Sequence, residues 1–369
     1  MSVKKVLITA GGTGGHLYPA QALAQQLVKQ TQAPDILFVA GGLGTNRYFD
    51  RQRFSFQEIV SSPLLSRHPV RSLKGIFSLL KGIGQSLAIL RNYQPDVVVG
   101  FGSYYTVPIL LAARWLKIPI VLHEANSIPG RANKWLASLA TCIGLHFPST
   151  ADFFKGRRTV EVGLPLREGY HLTAVNKEKA LAYYGLSSQR QTLLICGGSQ
   201  GAKAINRLMK LCLPFIQQLS LQVIHLTGDA EMAEILSALY AAHQIPAHVK
   251  PFEDQMQMAW GAADGFVGRA GASTIAEAIE FEVPGILIPY PYATDQHQAK
   301  NADFLVETVG SAWKLLEVDL TPEMLGESIQ ALYQPKQQLA FKQALKAYKQ
   351  RPHQTTLCQL ILNIGFYKG

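Results

Sequence analysis

Apolar residues along this chain fall into short unbroken runs, each followed by glycine or polar residues and then by a longer stretch with helix-like spacing. Val6-Leu7-Ile8-Thr9-Ala10, Ile36–Ala40, Val97–Gly100 and Ile120–His123 read as strands in the first half. Leu193–Cys196, Val223–Thr227, Gly265–Gly268 and Ile286–Pro289 repeat the plan in the second. Runs without polar alternation belong to strands buried on both faces, and their alternation with helix-length segments predicts doubly wound parallel sheets. The halves correspond in detail. Asp96-Val97-Val98-Val99-Gly100-Phe101-Gly102 leads through a helix to Ile118-Pro119-Ile120-Val121, and Asp264-Gly265-Phe266-Val267-Gly268-Arg269-Ala270-Gly271 leads likewise to Val283-Pro284-Gly285-Ile286. A repeat this long is a pair of domains, since solenoid periods are about 20–50 residues. Glycine and proline near Val162–Arg167 mark the expected boundary. The expected first domain is residues 1–163 with a returning C-terminal helix from about 340 to 369, and the second is 164–339. The lysine-rich stretch from Pro335 reads as two helices split at Arg351-Pro352.

Two glycine turns follow the first strand of each half: Gly11-Gly12-Thr13-Gly14-Gly15-His16 and Gly197-Gly198-Ser199-Gln200-Gly201-Ala202. Glycine permits the turn and a close approach, and the next helix offers free N–H groups and a partial positive charge that suit a phosphate. Two such turns, one per half, predict a ligand held between two α/β domains.

Composition narrows the class. The chain has 369 residues, 48% of them hydrophobic, enough to fill two cores. Its four cysteines form no CxxC pair, which fits a reducing compartment. Lys4-Lys5 precede only a few apolar residues before glycines intervene, so no signal peptide is expected. No apolar stretch approaches the roughly 18 residues that span a bilayer. The net charge of +10 favours an anionic partner: nucleic acid, an anionic lipid surface or a phosphorylated substrate.

The motifs remove some chemistries and leave others open. Counting from Gly12, the third small residue of a dinucleotide fingerprint is missing, and no Walker lysine follows either turn. No Asp-x-Asp pair or His/Cys cluster offers a metal site, so charge on a leaving phosphate must be met by N–H groups, hydroxyls and arginine. His16, at a helix N-terminus, is favoured neutral and can serve as a general base, or it can simply pack at the turn. Ser199 and Gln200 can cap a helix or bind a phosphate oxygen. Glu277 either completes a capping box with Thr274 or accepts both hydroxyls of a ribose. His123-Glu124-Ala125-Asn126 ends a strand, where ligands bind in open α/β sheets, and Glu124 is either a second base or an ion-pair partner. The Asp295-Gln296-His297-Gln298-Ala299-Lys300-Asn301 segment offers amides for sugar hydroxyls, or is an ordinary polar loop. Leu73, Ile76, Phe77, Leu80 and Ile83 share a helical face flanked by Lys74 and Lys81, with Arg67 and Arg71 before it and Trp115-Leu116-Lys117 a possible addition. That face either lies in a headgroup layer or packs on its own sheet.

In this order, the two glycine turns, His123-Glu124-x-Asn126, Arg269-x-Gly271-Ala272-x-Thr274, Glu277 and the Asp295–Asn301 segment resemble the MurG family of peptidoglycan glycosyltransferases. The resemblance runs along nearly the whole chain. It implies an α/β fold of GT-B architecture, two Rossmann-like doubly wound parallel-sheet domains facing a cleft. It implies metal-free, inverting transfer of N-acetylglucosamine from UDP-GlcNAc to the C4 hydroxyl of MurNAc in lipid I, giving lipid II for the cell wall, with no cofactor required. The implied partners are UDP-GlcNAc, lipid I, anionic phospholipid and other cell-wall synthesis proteins, with no nucleic acid. The implied location is the cytoplasmic side of the cell membrane, bound peripherally, in the service of cell shape and division.

By similarity, the first domain takes the acceptor and the second the donor. Thr13, Gly14, Gly15 and Asn126 face the reacting sugars, and Gly102, Ser103 and Tyr104 form an acceptor loop. Arg167, Ser199, Gln200, Gly201, Arg269, Ala272, Ser273, Thr274, Glu277 and Gln298 correspond to donor contacts, and the backbone at Phe252-Glu253 to the uracil contact. His16 is the expected base, with Glu124 as fallback. The chain departs from the family pattern at Leu164 (usually asparagine), at Gly102-Ser103-Tyr104 (usually two glycines before tyrosine) and at Ser61–Pro69, which lacks the usual glycine-bearing loop. A transferase acting on another lipid such as diacylglycerol, a nonhydrolysing 2-epimerase and a non-catalytic nucleotide-sugar binding subunit are the competing readings.

Overall fold

The structure is a computed structural model that describes residues 3–61, 69–198, 202–351 and 355–367; the side chains of 69–74 and 366–367 lie outside that description. The chain forms two compact units, Met1–Glu168 with His353–Gly369, and Gly169–Pro352.

The first unit holds β1 (Lys5–Thr9), β2 (Asp35–Ala40), β3 (Phe56–Glu58), β4 (Val97–Gly100), β5 (Ile120–Glu124), β6 (Cys142–Leu145) and β7 (Thr159–Glu161). They form one parallel sheet in the order β3-β2-β1-β4-β5-β6-β7. The second unit holds β8 (Thr192–Cys196), β9 (Gln222–Leu226), β10 (Ala247–Lys250), β11 (Gly265–Gly268), β12 (Gly285–Leu287) and β13 (Ala312–Lys314), parallel in the order β10-β9-β8-β11-β12-β13. All eight expected strands are present, two with the expected ends and the others shifted by at most two residues.

Alternate residues of β1 feed opposite cores. Val6 and Ile8 pack with Leu17, Leu23, Phe38 and Leu357, and Leu7 packs with Leu37, Val98 and Leu110. This two-sided burial explains the unbroken apolar runs. The repeat seen in sequence is also physical. Asp96 Oδ2 accepts the N–H groups of Lys4 (2.7 Å) and Lys5 (2.9 Å) at the start of β1. Asp264 Oδ2 accepts that of Thr192 (3.0 Å) at the start of β8. Each aspartate pins the first strand of its sheet to the strand beside it.

Segment 163–168 stays with the first unit because it is tied there. Gly163 O accepts from His123 Nε2 (2.9 Å), Gln25 Oε1 accepts the Glu168 N–H (2.8 Å), and Glu168 pairs with Lys29 (2.9 Å) and Arg53 (2.8 Å). The helix Pro335–Gln350, expected partly with the first domain, packs on the second unit instead. Phe341 meets Trp313 edge-on at 5.1 Å, and Gln338 Nε2 donates to Asp264 O (3.3 Å). The return is made by the helix Leu357–Leu362, opened by a capping box of Thr356 and Gln359 and seated on the first core.

Candidate active site

In a doubly wound sheet, ligands bind at the carboxyl ends of the strands where the strand order reverses. In the first sheet that point lies between β1 and β4, and in the second between β8 and β11. Both glycine turns fall there, one after β1 and one after β8.

At the first point, the helix Gly14–Val28 begins directly after Thr13, its N-cap. His16 and Leu17 N–H groups both return to Thr13 O (3.1 and 3.0 Å), leaving Gly14 and Gly15 N–H groups without partners inside the helix. The half-buried His16 places Nδ1 3.0 Å from Thr13 Oγ1. Burial pushes the imidazole down to about 4, in the same direction as the helix dipole. The ring is therefore neutral at physiological pH. In the tautomer whose Nδ1–H donates to Thr13 Oγ1, Nε2 carries the lone pair a base needs. His123, buried beside Phe101, is also pushed down to about 4, by burial and then by the nearby His16 against the pull of its bond to Gly163.

The loop after β4 is strained. Gly102 takes φ 80°, and Ser103 takes φ 80° and ψ 155°, a region that costs a residue other than glycine about 1–3 kcal/mol. Glycine would take that conformation without the cost. The loop presses on the first turn, where a Cβ added to Gly11 would lie 2.4 Å from Ser103 Cβ, so only glycine fits at residue 11. Tyr104 is partly exposed beside it.

Glu124 is buried and engaged. Oε1 accepts the Asn126 N–H (3.0 Å) and side chain (3.4 Å), and Oε2 accepts the Gly130 N–H (3.0 Å) and Asn133 Nδ2 (2.8 Å). Burial raises its pKa against the pull of these donors. With four donors on its two oxygens it shapes the 126–133 loop, and the fallback base role does not fit this geometry. Arg167, expected at the donor, lies in the first unit with its guanidinium 4.2 Å from the Tyr18 ring centroid.

At the second point, Gly197 and Gly198 (φ 80°) follow β8, and Ser199, Gln200 and Gly201 lie outside the described residues. The helix Ala272–Glu280 follows β11 with Gly271 as N-cap and no side-chain cap. Thr274 and Glu277 therefore form no capping box. Glu277 Oε2 instead accepts from Trp260 Nε1 at 2.6 Å, a contact no local pattern announces. Ala272 is buried, and Ser273 and Thr274 are half-buried on the helix's first turn.

Arg269 is spent inside the unit. It is buried, donates to Ile288 O (3.1 Å) and Pro289 O (3.3 Å), and pairs with Glu317 (2.5 Å). Its geometry corrects the donor-contact expectation: it straps the loop after β11 to the loop after β12. Glu253 is held by its side chain. Its carboxylate accepts from Tyr184 Oη (3.0 Å), Lys250 Nζ (3.0 Å) and the Gln255 N–H (2.8 Å), while Phe252 stays exposed beside it. Gln298 Oε1 accepts the Tyr290 N–H (2.9 Å), and buried Asn301 donates to Ala270 O (3.1 Å), docking the expected amide segment on the β11 loop. Among the described residues no group of three or more His, Cys, Asp or Glu is placed to hold a metal ion.

The fold and site define a glycosyltransferase. Residues 6–145 match the glycosyltransferase family 28 N-terminal domain and residues 192–356 its C-terminal domain. The chain is 58% identical, over 99% of its length and 97% of the relative's, to the UDP-N-acetylglucosamine–N-acetylmuramyl-(pentapeptide) pyrophosphoryl-undecaprenol N-acetylglucosamine transferase of Protochlamydia amoebophila. It is 37% identical to that of Halothermothrix orenii, covering 89% and 90% of the two chains. The crystal structure of Acinetobacter baumannii MurG superimposes with a TM-score of 0.74 at 29% identity, over 98% of both chains. Phytolacca americana UGT2 complexed with UDP-2-fluoro-glucose and pterostilbene shares the fold at 13% identity and a TM-score of 0.68, over 100% of this chain and 99% of that one. The chain belongs to the MurG family of UDP-N-acetylglucosamine transferases.

Proposed function

We propose that the protein transfers N-acetylglucosamine from UDP-N-acetylglucosamine to the C4 hydroxyl of MurNAc in undecaprenyl-pyrophosphoryl-MurNAc-pentapeptide, with inversion, giving lipid II. The observation that carries the reaction is a neutral imidazole, His16, at a helix N-terminus on the first switch point of a chain in this family. The C4 oxygen attacks the anomeric carbon as the bond to the UDP β-phosphate breaks. His16 Nε2 takes the hydroxyl proton, and UDP leaves with the electron pair. The growing phosphate charge is met by the glycine turn after β8 and the first turn of the helix Ala272–Glu280, in a reading that needs no metal. In this reading Glu277, whose Oε2 is held by Trp260, accepts from the donor's ribose hydroxyls.

The reaction needs a lipid-borne acceptor, and one face of the first unit suits that. On the helix Pro69–Tyr93, Ile76, Phe77 and Leu80 are 51%, 71% and 63% exposed, and Trp115 on the adjacent helix Val107–Trp115 is 76% exposed. The opposite face packs inward through Gly82, Ser86 and Leu90. Of the two readings of this face, packing on its own sheet does not hold for Ile76, Phe77 and Leu80. With Lys81 and Lys117 nearby in sequence, this surface fits peripheral binding to anionic phospholipid on the cytoplasmic side of the membrane. Among the described residues no helix is long and apolar enough to cross a membrane. Mass-spectrometric assay with UDP-GlcNAc and either lipid I or diacylglycerol, with and without EDTA, tests the reading. Transfer to lipid I that survives EDTA is expected, and transfer to diacylglycerol alone would overturn it.

A further inference from the structure

We propose that Ser103 is a specificity-determining residue whose hydroxyl hydrogen-bonds the acceptor sugar beside its attacking oxygen; the proposal rests on the transferase reading above. Glycine would build this loop without strain, yet the chain keeps a side chain at φ 80° and ψ 155°. Strain held at a ligand crevice points to a use for the group that bears it. The backbone is locked from below, because Ser103 O accepts both the N–H (3.2 Å) and the Oγ1–H (2.8 Å) of fully buried Thr106.

The side chain then lies over the first glycine turn. A Cβ built on Gly11 would be 2.8 Å from Ser103 Oγ and 3.1 Å from His16 Nδ1, so hydroxyl and imidazole flank the same backbone position. Among the described residues no protein group hydrogen-bonds Ser103 Oγ. A second polar atom nearby is also unsatisfied: Asn133 Oδ1 is buried without a partner, and a Cβ on Gly102 would lie 3.3 Å from it. The crevice thus offers hydrogen-bonding capacity beyond what the fold consumes. A hydroxyl both donates and accepts, which matches a sugar hydroxyl or acetamido group. An acceptor whose C4 oxygen reaches His16 carries a hydroxymethyl group on C5 and an ether oxygen on C3, and its acetamido group lies on C2, one carbon further round the ring.

The test compares Ser103→Ala and Ser103→Gly with the unmutated protein, using UDP-GlcNAc and a short-chain lipid I analogue. Both variants should raise the acceptor KM about three- to tenfold, the size of one lost hydrogen bond. The UDP-GlcNAc KM should stay unchanged. Ser103→Gly should also raise the thermal midpoint by about 1–3 °C through relief of strain, while Ser103→Ala should not. An unchanged acceptor KM in Ser103→Ala, or equal shifts for both substrates, overturns the proposal while leaving the transferase reading standing. No transfer by the unmutated protein overturns both.

Discussion

The two switch points share a backbone plan and differ in what their polar groups are free to do. At the first, a short turn leads into a helix with a neutral histidine in its opening turn, and the facing loop holds a strained serine whose hydroxyl finds no partner among the described residues. At the second, the conspicuous charges are already committed: Arg269 to two carbonyls and Glu317, Glu253 to three donors, and Glu277 to Trp260. On the proposed reading, the difference teaches that one fold serves two tasks. A site that moves a proton keeps a side chain uncharged and accessible. A site that holds a nucleotide sugar fixes its walls with internal ties and presents backbone and hydroxyls.

The largest test breaks the first site. His16→Ala should lower turnover about 10²–10⁴-fold, the range for losing a general base, or roughly 3–5 kcal/mol of barrier. UDP affinity by calorimetry should hold, because the proposed nucleotide site lies in the second unit. The active form is the deprotonated ring, and burial puts its pKa at about 4. Activity of the unmutated protein should therefore be flat above that pH and fall as pH drops through it, and the variant should lose that limb. Near-normal turnover by His16→Ala would move the base elsewhere and erase the contrast between the sites.

Glu277 sharpens the other side. Glu277→Ala should weaken UDP-GlcNAc binding by about 1–3 kcal/mol. It should also destabilise the second unit by a similar amount, because it strands the Nε1–H of fully buried Trp260. Glu277→Gln can still accept from Trp260, so it should recover most of the stability but not the affinity. If calorimetry with Glu277→Gln gives unchanged UDP-GlcNAc affinity, the residue is a support for Trp260 and nothing more.

What could be read from the chain follows the physics of each element. β1, β4, β8 and β11 were legible to within a residue because strands buried on both faces must be written as unbroken apolar runs. The three-residue β3 (Phe56-Gln57-Glu58), β7 (Thr159-Val160-Glu161) and β13 (Ala312-Trp313-Lys314) lie at or next to sheet edges, carry polar residues and leave no run to find. β6 was missed because Gly144 interrupts a short segment. At the site, the glycine turns and His16 were legible because a tight turn restricts its residues. Arg269 was misread, and the side-chain ties of Glu253 went unseen, because a charged side chain is visible in sequence while its partner is not. Glu317 lies on a distant 3₁₀ turn, and Tyr184 on another element altogether. The buried set of Asn206, His225 and Tyr240 left no signal for the same reason.

That buried set supplies a stability test. Asn206 Nδ2 donates to Thr227 O (2.9 Å), which turns its Oδ1 toward His225 Nε2 (3.1 Å); His225 Nδ1 then accepts from Tyr240 Oη (3.0 Å). Burial pushes His225 down to about 3. A lowered folded pKa contributes stability above the unfolded value, near 6.5, and loses it as pH falls toward the folded one. The second unit should lose about 2 kcal/mol between pH 7 and pH 5 from this residue alone. Urea unfolding of His225→Asn at both pH values should show a smaller drop. His16 and His123 give the first unit the same sign, so equal pH slopes in His225→Asn and the unmutated protein would assign the acid sensitivity to the first unit.

The smallest expected effect asks whether the units also differ in what they touch. Ile76→Glu with Phe77→Glu replaces two exposed side chains, so circular dichroism and the thermal midpoint should hardly move. Sedimentation with anionic liposomes should fall several-fold, since the apolar contact is lost and the added carboxylates are repelled by the lipid charge. The interaction should weaken further in high salt, because screening removes the attraction of Lys81 and its neighbours. Turnover on a water-soluble acceptor should persist, while turnover on vesicle-borne lipid I should drop with the sedimented fraction. Unchanged sedimentation would leave the exposed Ile76, Phe77, Leu80 and Trp115 to some other partner. It would also remove the one functional surface that separates the first unit from the second outside their switch points.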